Sequence, residues 1–100
     1  MASVEERRQA YQKKMRELAV RRTRMTQLYN LLQKKKGMEA RRKGRKLGKE
    51  EHLQHRKEVE RIEHLIATKK KSYGISVIVD PQGLRNQIKK IKLAISKLDD

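Results

Sequence analysis

The sequence predicts a mostly all-α protein: an antiparallel, coiled-coil-like helical hairpin, followed by a short extended segment and a third, C-terminal helix. Apolar residues recur at helical spacing on both sides of one strongly basic segment, residues 34–49. Helix-start signals lie at Ser3 and at Asp80. We expect residues 1–100 to form a single small helical domain, because a chain of 100 residues makes one domain at most.

The first predicted helix covers about residues 4–36. Ser3 is a favourable N-cap, and Glu6 follows three residues later, which completes a capping-box pattern. An interrupted apolar stripe then recurs every seven residues, at Val4, Tyr11, Leu18, Met25 and Leu32. A helix of this length would extend for about 50 Å, which is too long for a compact monomer of this size. We therefore expect it to pair along its length.

The basic segment, residues 34–49, follows this helix. It contains nine basic residues against one acid, Glu39, and it carries half of the net charge of +16. Each of its three glycines lowers helix stability by about 1 kcal/mol relative to alanine. We predict that Gly37 ends the first helix and that residues 37–48 form a basic hinge.

The second predicted helix covers about residues 49–71. Glu50 and Glu51 suit the positive end of a helix dipole. Its predicted apolar side consists of Leu53, Val59, Ile62, Leu65 and Ile66. Because this stretch is nearly neutral, we expect it to pack back on the first helix as a hairpin.

Residues 75–79, with the sequence ISVIV, carry the clearest strand signal in the chain because they are almost entirely β-branched. One strand cannot exist alone. The segment must therefore pair with its copy in a second subunit, join a partner's sheet, or lie extended across the helices.

The third predicted helix covers about residues 81–98, after Asp80 as N-cap and Pro81 in the first turn. Its apolar residues fall at spacings of three and four, at Leu84, Ile88, Ile91, Ile95 and Leu98. This seam is either the core of a three-helix bundle or an interface with another copy or a helical partner. Since only 35% of the chain is apolar, we favour the interface.

The charge distribution predicts a polyanionic partner, and nucleic acid is the class we favour. The basic segment supplies the predicted phosphate contacts, aided by arginines of the first helix: Lys34, Lys35, Lys36, Arg41, Arg42, Lys43, Arg45, Lys46, Arg21, Arg22 and Arg24. Phe and Trp are absent and only three tyrosines occur, so stacking on single-stranded bases is disfavoured. We expect largely sequence-independent binding to structured or double-stranded RNA, ahead of DNA.

Three other interpretations of the charge remain open: a nuclear or nucleolar targeting signal, a merely solvated loop, or a membrane surface. The alternative function is a coiled-coil adaptor or structural subunit that docks on a protein complex through its apolar seams. We expect an intracellular location, nuclear or nucleolar in a eukaryote and otherwise cytoplasmic, because the first residues lack the apolar stretch of a secretory signal.

Catalysis has no support in the sequence. It contains no nucleophile motif, phosphate-cradling glycine loop or thiolate ligand set, and cysteine is absent. His52 and His55 are a weak metal signal because no third ligand is defined, so we expect ordinary surface or rim histidines. We predict no enzyme activity, cofactor, metal, small-molecule substrate or membrane partner.

Overall fold

The structure, a computed structural model, describes residues 3–43 and 48–98, with the side chain of Lys43 left out. The described residues form three helices and no strand: α1 (Val4–Lys43), α2 (Lys49–Tyr73) and α3 (Gln82–Leu98). The prediction of a mostly all-α fold is confirmed. None of these helices combines the length and the apolar character needed to cross a membrane.

Helix α1 begins as predicted, since the Glu6 amide donates to the Ser3 hydroxyl oxygen at 3.1 Å. Its predicted end is wrong. The helix continues through Gly37 to Lys43 instead of ending at residue 36, so the first part of the predicted hinge is helical. A single glycine weakens a helix by about 1 kcal/mol, which a long helix packed against another element can absorb.

The residues cluster into two compact units, and α1 contributes to both. One unit consists of Met1–Thr26 and Asp80–Asp100, and it contains the first part of α1 and all of α3. The other is Gln27–Val79, which contains the second part of α1 and all of α2.

In the unit Gln27–Val79, α1 and α2 form an antiparallel hairpin. Three side-chain contacts establish the direction: Gln27 with Tyr73, Lys35 with Glu63, and Arg42 with His52. Partners that advance along α1 retreat along α2, which is the pattern of an antiparallel pair. The Tyr73 hydroxyl donates to Gln27 Oε1 at 2.5 Å, and Leu28 of α1 is completely buried.

The packed face of α2 differs from the predicted apolar side. Ile62 is buried, but Leu53 and Leu65 are 54% and 39% exposed. Apart from Lys70, which is also half-buried, the buried and half-buried residues follow alternating spacings of three and four along α2: His52, His55, Val59, Ile62, Ile66, Lys69 and Tyr73. Histidine, lysine and tyrosine occupy positions of this face that the predicted apolar side did not include, because their side chains combine apolar bodies with polar ends.

Helix α2 ends at Tyr73, two residues later than predicted, and Gly74 follows with φ +67°. The amides of Gly74 and Ile75 donate to the carbonyl oxygens of Lys71 and Lys70, at 3.4 and 3.0 Å. These two bonds form a Schellman motif, which requires the left-handed conformation that glycine tolerates best. Residues 75–79 then run irregularly and form no strand, since the described chain offers no strand for them to pair with.

In the unit Met1–Thr26 with Asp80–Asp100, α3 begins near the predicted position. The Asp80 carboxylate accepts a hydrogen bond from the Gln82 amide at 2.9 Å, as expected of a helix-capping acid. In the described part of this unit, the buried residues are Leu18 and Met25 of α1, Pro81, and Leu84 and Ile88 of α3. Val4, predicted on the stripe of α1, is 51% exposed.

Candidate nucleic-acid interface

Residues 34–43, the first part of the basic segment, are helical, so the cations from Lys34 to Arg42 lie on defined sides of α1. Lys34 and Arg41 are seven residues apart, about two turns, so they lie on the same side of α1. Lys35 and Arg42 have the same spacing on the adjacent side, which contacts α2. The structure thus divides four of the predicted contact residues into two pairs: Lys34 and Arg41 face outward, and Lys35 and Arg42 lie at the hairpin.

The two cations at the hairpin already have partners. Lys35 Nζ lies 3.0 Å from Glu63 Oε1, and its side chain is only 25% exposed. Arg42 Nη2 lies 3.2 Å from His52 Nε2. A guanidinium can only donate, so the His52 nitrogen accepts this hydrogen bond. Both cations therefore help to join α1 to α2.

The outward cations face solvent. Lys34 and Arg41 are exposed and are separated by about 10 Å along the helix axis. Lys36 is also exposed, on another side of α1. Glu39, the acid within the segment, lines a cleft of about 250 Å³ together with Arg42 and His55. Because this cleft is shared with residues of α2, Glu39 lies on the hairpin side of α1, away from the side with Lys34 and Arg41.

The remaining predicted contact residues lie near the end of α1, beyond it, or in the other unit. Lys43 is the last residue of α1, but its side chain, together with Arg45 and Lys46, lies outside the described residues. In the other unit, Arg21 and Arg24 are exposed on α1 and Arg22 is half-buried. The contribution of these arginines to binding stays a prediction.

The predicted partner seam of α3 is partly used inside the chain. Leu84 and Ile88 are 8% and 5% exposed, as expected of an intramolecular core. Ile91, Ile95 and Leu98 are half-buried and keep some apolar surface accessible.

His52 and His55 are half-buried on the packed face of α2, whereas His64 is exposed. Within residues 3–43 and 48–98, no group of three or more His, Cys, Asp or Glu side chains is arranged to hold a metal ion. His55 Nε2 is buried without a hydrogen-bond partner among the described residues, whereas His52 Nε2 accepts from Arg42.

Sequence reasoning missed the division of the basic segment into two sides, because it treated residues 37–48 as a hinge. The available signal was the repeat of seven that links Lys34 to Arg41 and Lys35 to Arg42. This repeat continues the spacing of the apolar stripe that precedes it.

Comparisons with protein-family models, curated proteins and solved structures gave no match.

Proposed function

We propose that this protein binds the phosphate backbone of nucleic acid, largely independently of sequence and without catalysis, and that its ligand is structured or double-stranded RNA. The observation that carries the proposal is the exposed side of α1 with Lys34 and Arg41, while Glu39 occupies the hairpin side of the helix. Cations in such a position gain free energy beside phosphates, because binding releases the counterions condensed on the polymer.

The tyrosines support duplex or structured RNA over exposed bases. Tyr11, Tyr29 and Tyr73 are all half-buried, and the Tyr73 hydroxyl is bonded to Gln27. Proteins that bind single strands usually offer accessible aromatic rings for stacking. A helix that presents cations without such rings is better suited to the backbone and shape of a double-stranded ligand.

The test is a variant in which five cations become glutamine, which removes charge while keeping helix propensity. The substitutions are Arg41→Gln, Arg42→Gln, Lys43→Gln, Arg45→Gln and Lys46→Gln. We expect much weaker binding to a short RNA duplex in a fluorescence-anisotropy titration, with helix content by circular dichroism unchanged. Unaltered affinity would remove the five substituted residues from the mechanism.

A docking subunit is the second candidate, and exposed apolar surface on α3 favours it. Leu93 is 63% exposed, and Ile91 and Ile95 are only half-buried. Self-association or a helical partner would cover such residues. Indifference to both RNA and DNA duplexes, combined with tight binding of an acidic polypeptide at matched charge, would favour this candidate.

An intracellular location is part of the proposal, nuclear or nucleolar in a eukaryotic cell. The clusters KKK and RRKGRK are of the type that directs such transport. A fluorescent fusion of the full chain, compared with its five-glutamine variant, tests this part independently of binding.

A further inference from the structure

Helix α3 carries cations and no acid. Gln82–Leu98 contains one arginine and four lysines, and not one Asp or Glu. Asp80, which precedes the helix, is engaged in capping it through the Gln82 amide. On α2, by contrast, five glutamates are interspersed with the cations, and Arg56 pairs with Glu60 at 3.5 Å.

Packing within its unit determines which way α3 faces. Leu84 and Ile88 are buried, so the helix cannot rotate without exposing them. Arg85, Lys89 and Lys92 follow at i, i+4 and i+7, which places them in one row along α3, and all three are exposed. This α3 cation row extends for about 10 Å along the helix.

Such a row is unfavourable for the free protein. Like charges four residues apart destabilise a helix, and no carboxylate of α3 lies between them. A ligand with regularly spaced negative charges removes this repulsion, and a phosphodiester backbone has that character. The folded helix also presents the row already ordered, so little conformational entropy is lost when phosphates bind.

We infer that Arg85, Lys89 and Lys92 form a second phosphate-binding surface, carried by the unit that contains α3. The inference rests on the proposed function, because it names nucleic acid as the ligand. Charge complementarity selects this occupant over a second copy of the chain, which would bring its own net charge of +16. The composition favours nucleic acid over a lipid surface, since neither Phe nor Trp is present to insert between lipids.

The experiment compares two triple-glutamine variants that lose the same charge. The row variant carries Arg85→Gln, Lys89→Gln and Lys92→Gln. The control variant changes three exposed cations of α2: Lys57→Gln, Arg61→Gln and Lys71→Gln. Each is titrated with a short RNA duplex at several salt concentrations, beside wild type. The conservative variant Arg85→Lys, which keeps the charge, is expected to bind within about threefold of wild type.

The row variant is expected to lose about one unit of salt slope for each phosphate contact removed, and the control variant much less. An equal decrease of the salt slope in the row variant and the control variant would overturn the inference while leaving the proposed function intact. Absence of duplex binding by wild type would instead refute the proposed function. Circular dichroism separates these outcomes from unfolding, since the row variant should melt no earlier than wild type. If the row variant loses binding to anionic lipid vesicles but not to the duplex, the assignment to nucleic acid is wrong.

Discussion

At the scale of single residues, three consecutive lysines illustrate how the fold gives identical side chains different roles. Lys34 and Lys36 are exposed, whereas Lys35 is paired with Glu63. An ammonium that is already close to a carboxylate gains less from a phosphate, because it must give up or share its existing partner. The three positions therefore provide charge-matched comparisons within one helix.

We predict that Lys34→Gln weakens RNA binding more than Lys35→Gln does. Each substitution removes one charge, but only Lys34 lies on the outward side with Arg41. The expected salt slope falls by about one unit for Lys34→Gln and by clearly less for Lys35→Gln. Anisotropy titrations of both variants measure the difference, and a larger effect at Lys35 would contradict the assignment of the outward side.

We also predict that His55→Leu stabilises the protein. The buried Nε2 of His55 has no hydrogen-bond partner in the part of the chain that the structure describes, and leaving a buried polar group unsatisfied costs about 1–3 kcal/mol. Leucine suits the packed face of α2, so a gain of about 1 kcal/mol in the free energy of unfolding is expected. Urea denaturation checks this value.

The control is His52→Leu, which removes the hydrogen bond to Arg42 and should stabilise less. Destabilisation by His55→Leu, beyond that of the control, would mean that the His55 ring makes a favourable interaction.

At the scale of elements, two glycines act in opposite ways. Gly37 lies inside α1, and an added Cβ there would meet no atom within 4 Å. Gly74 terminates α2 in the left-handed conformation, with φ +67°. Position 37 therefore has room for a side chain, whereas position 74 requires glycine because its backbone is left-handed.

We predict that Gly37→Ala raises the free energy of unfolding by about 1 kcal/mol, because alanine has the higher helix propensity. Gly74→Ala should lower it by about 1–2 kcal/mol, since a side chain is strained in the left-handed region. Thermal melts followed by circular dichroism compare the two variants. Destabilisation by Gly37→Ala would indicate that α1 does not continue through residue 37.

Helix starts were predictable from the sequence because their signals are local. The side chains of Ser3 and Asp80 each accept a hydrogen bond from a backbone amide, as expected of helix-capping residues. The end of α1 was not predictable from local signals. The cost of Gly37 is offset by packing against α2, and this packing involves residues far along the chain. For the same reason the packed positions His52 and His55 and the exposed Leu53 could not be assigned. Of the candidate site, the sequence identified the cations but not the sides of the helix they occupy.

At the scale of the whole molecule, the net charge of +16 acts against the free protein and in favour of a polyanion complex. A ligand that binds only the folded chain also stabilises it, by about 2.7 kcal/mol when present at 100 times its Kd. The same charges should therefore influence both stability and binding.

We predict that an RNA duplex raises the Tm in low salt and that the increase diminishes as salt is added, because screening weakens phosphate contacts. Differential scanning fluorimetry with an extrinsic dye measures the shift. An uncharged polymer at the same mass concentration is the control and should leave the Tm nearly unchanged. An equal shift with that polymer would exclude an electrostatic origin.

The most direct test of phosphate-backbone binding is the salt dependence of wild-type affinity for duplex RNA, measured with two duplexes of unrelated sequence. The account predicts similar affinities for both and a linear fall of log K with log salt, with a slope equivalent to several released ions. Binding that is insensitive to salt, or restricted to one of the two sequences, would contradict it.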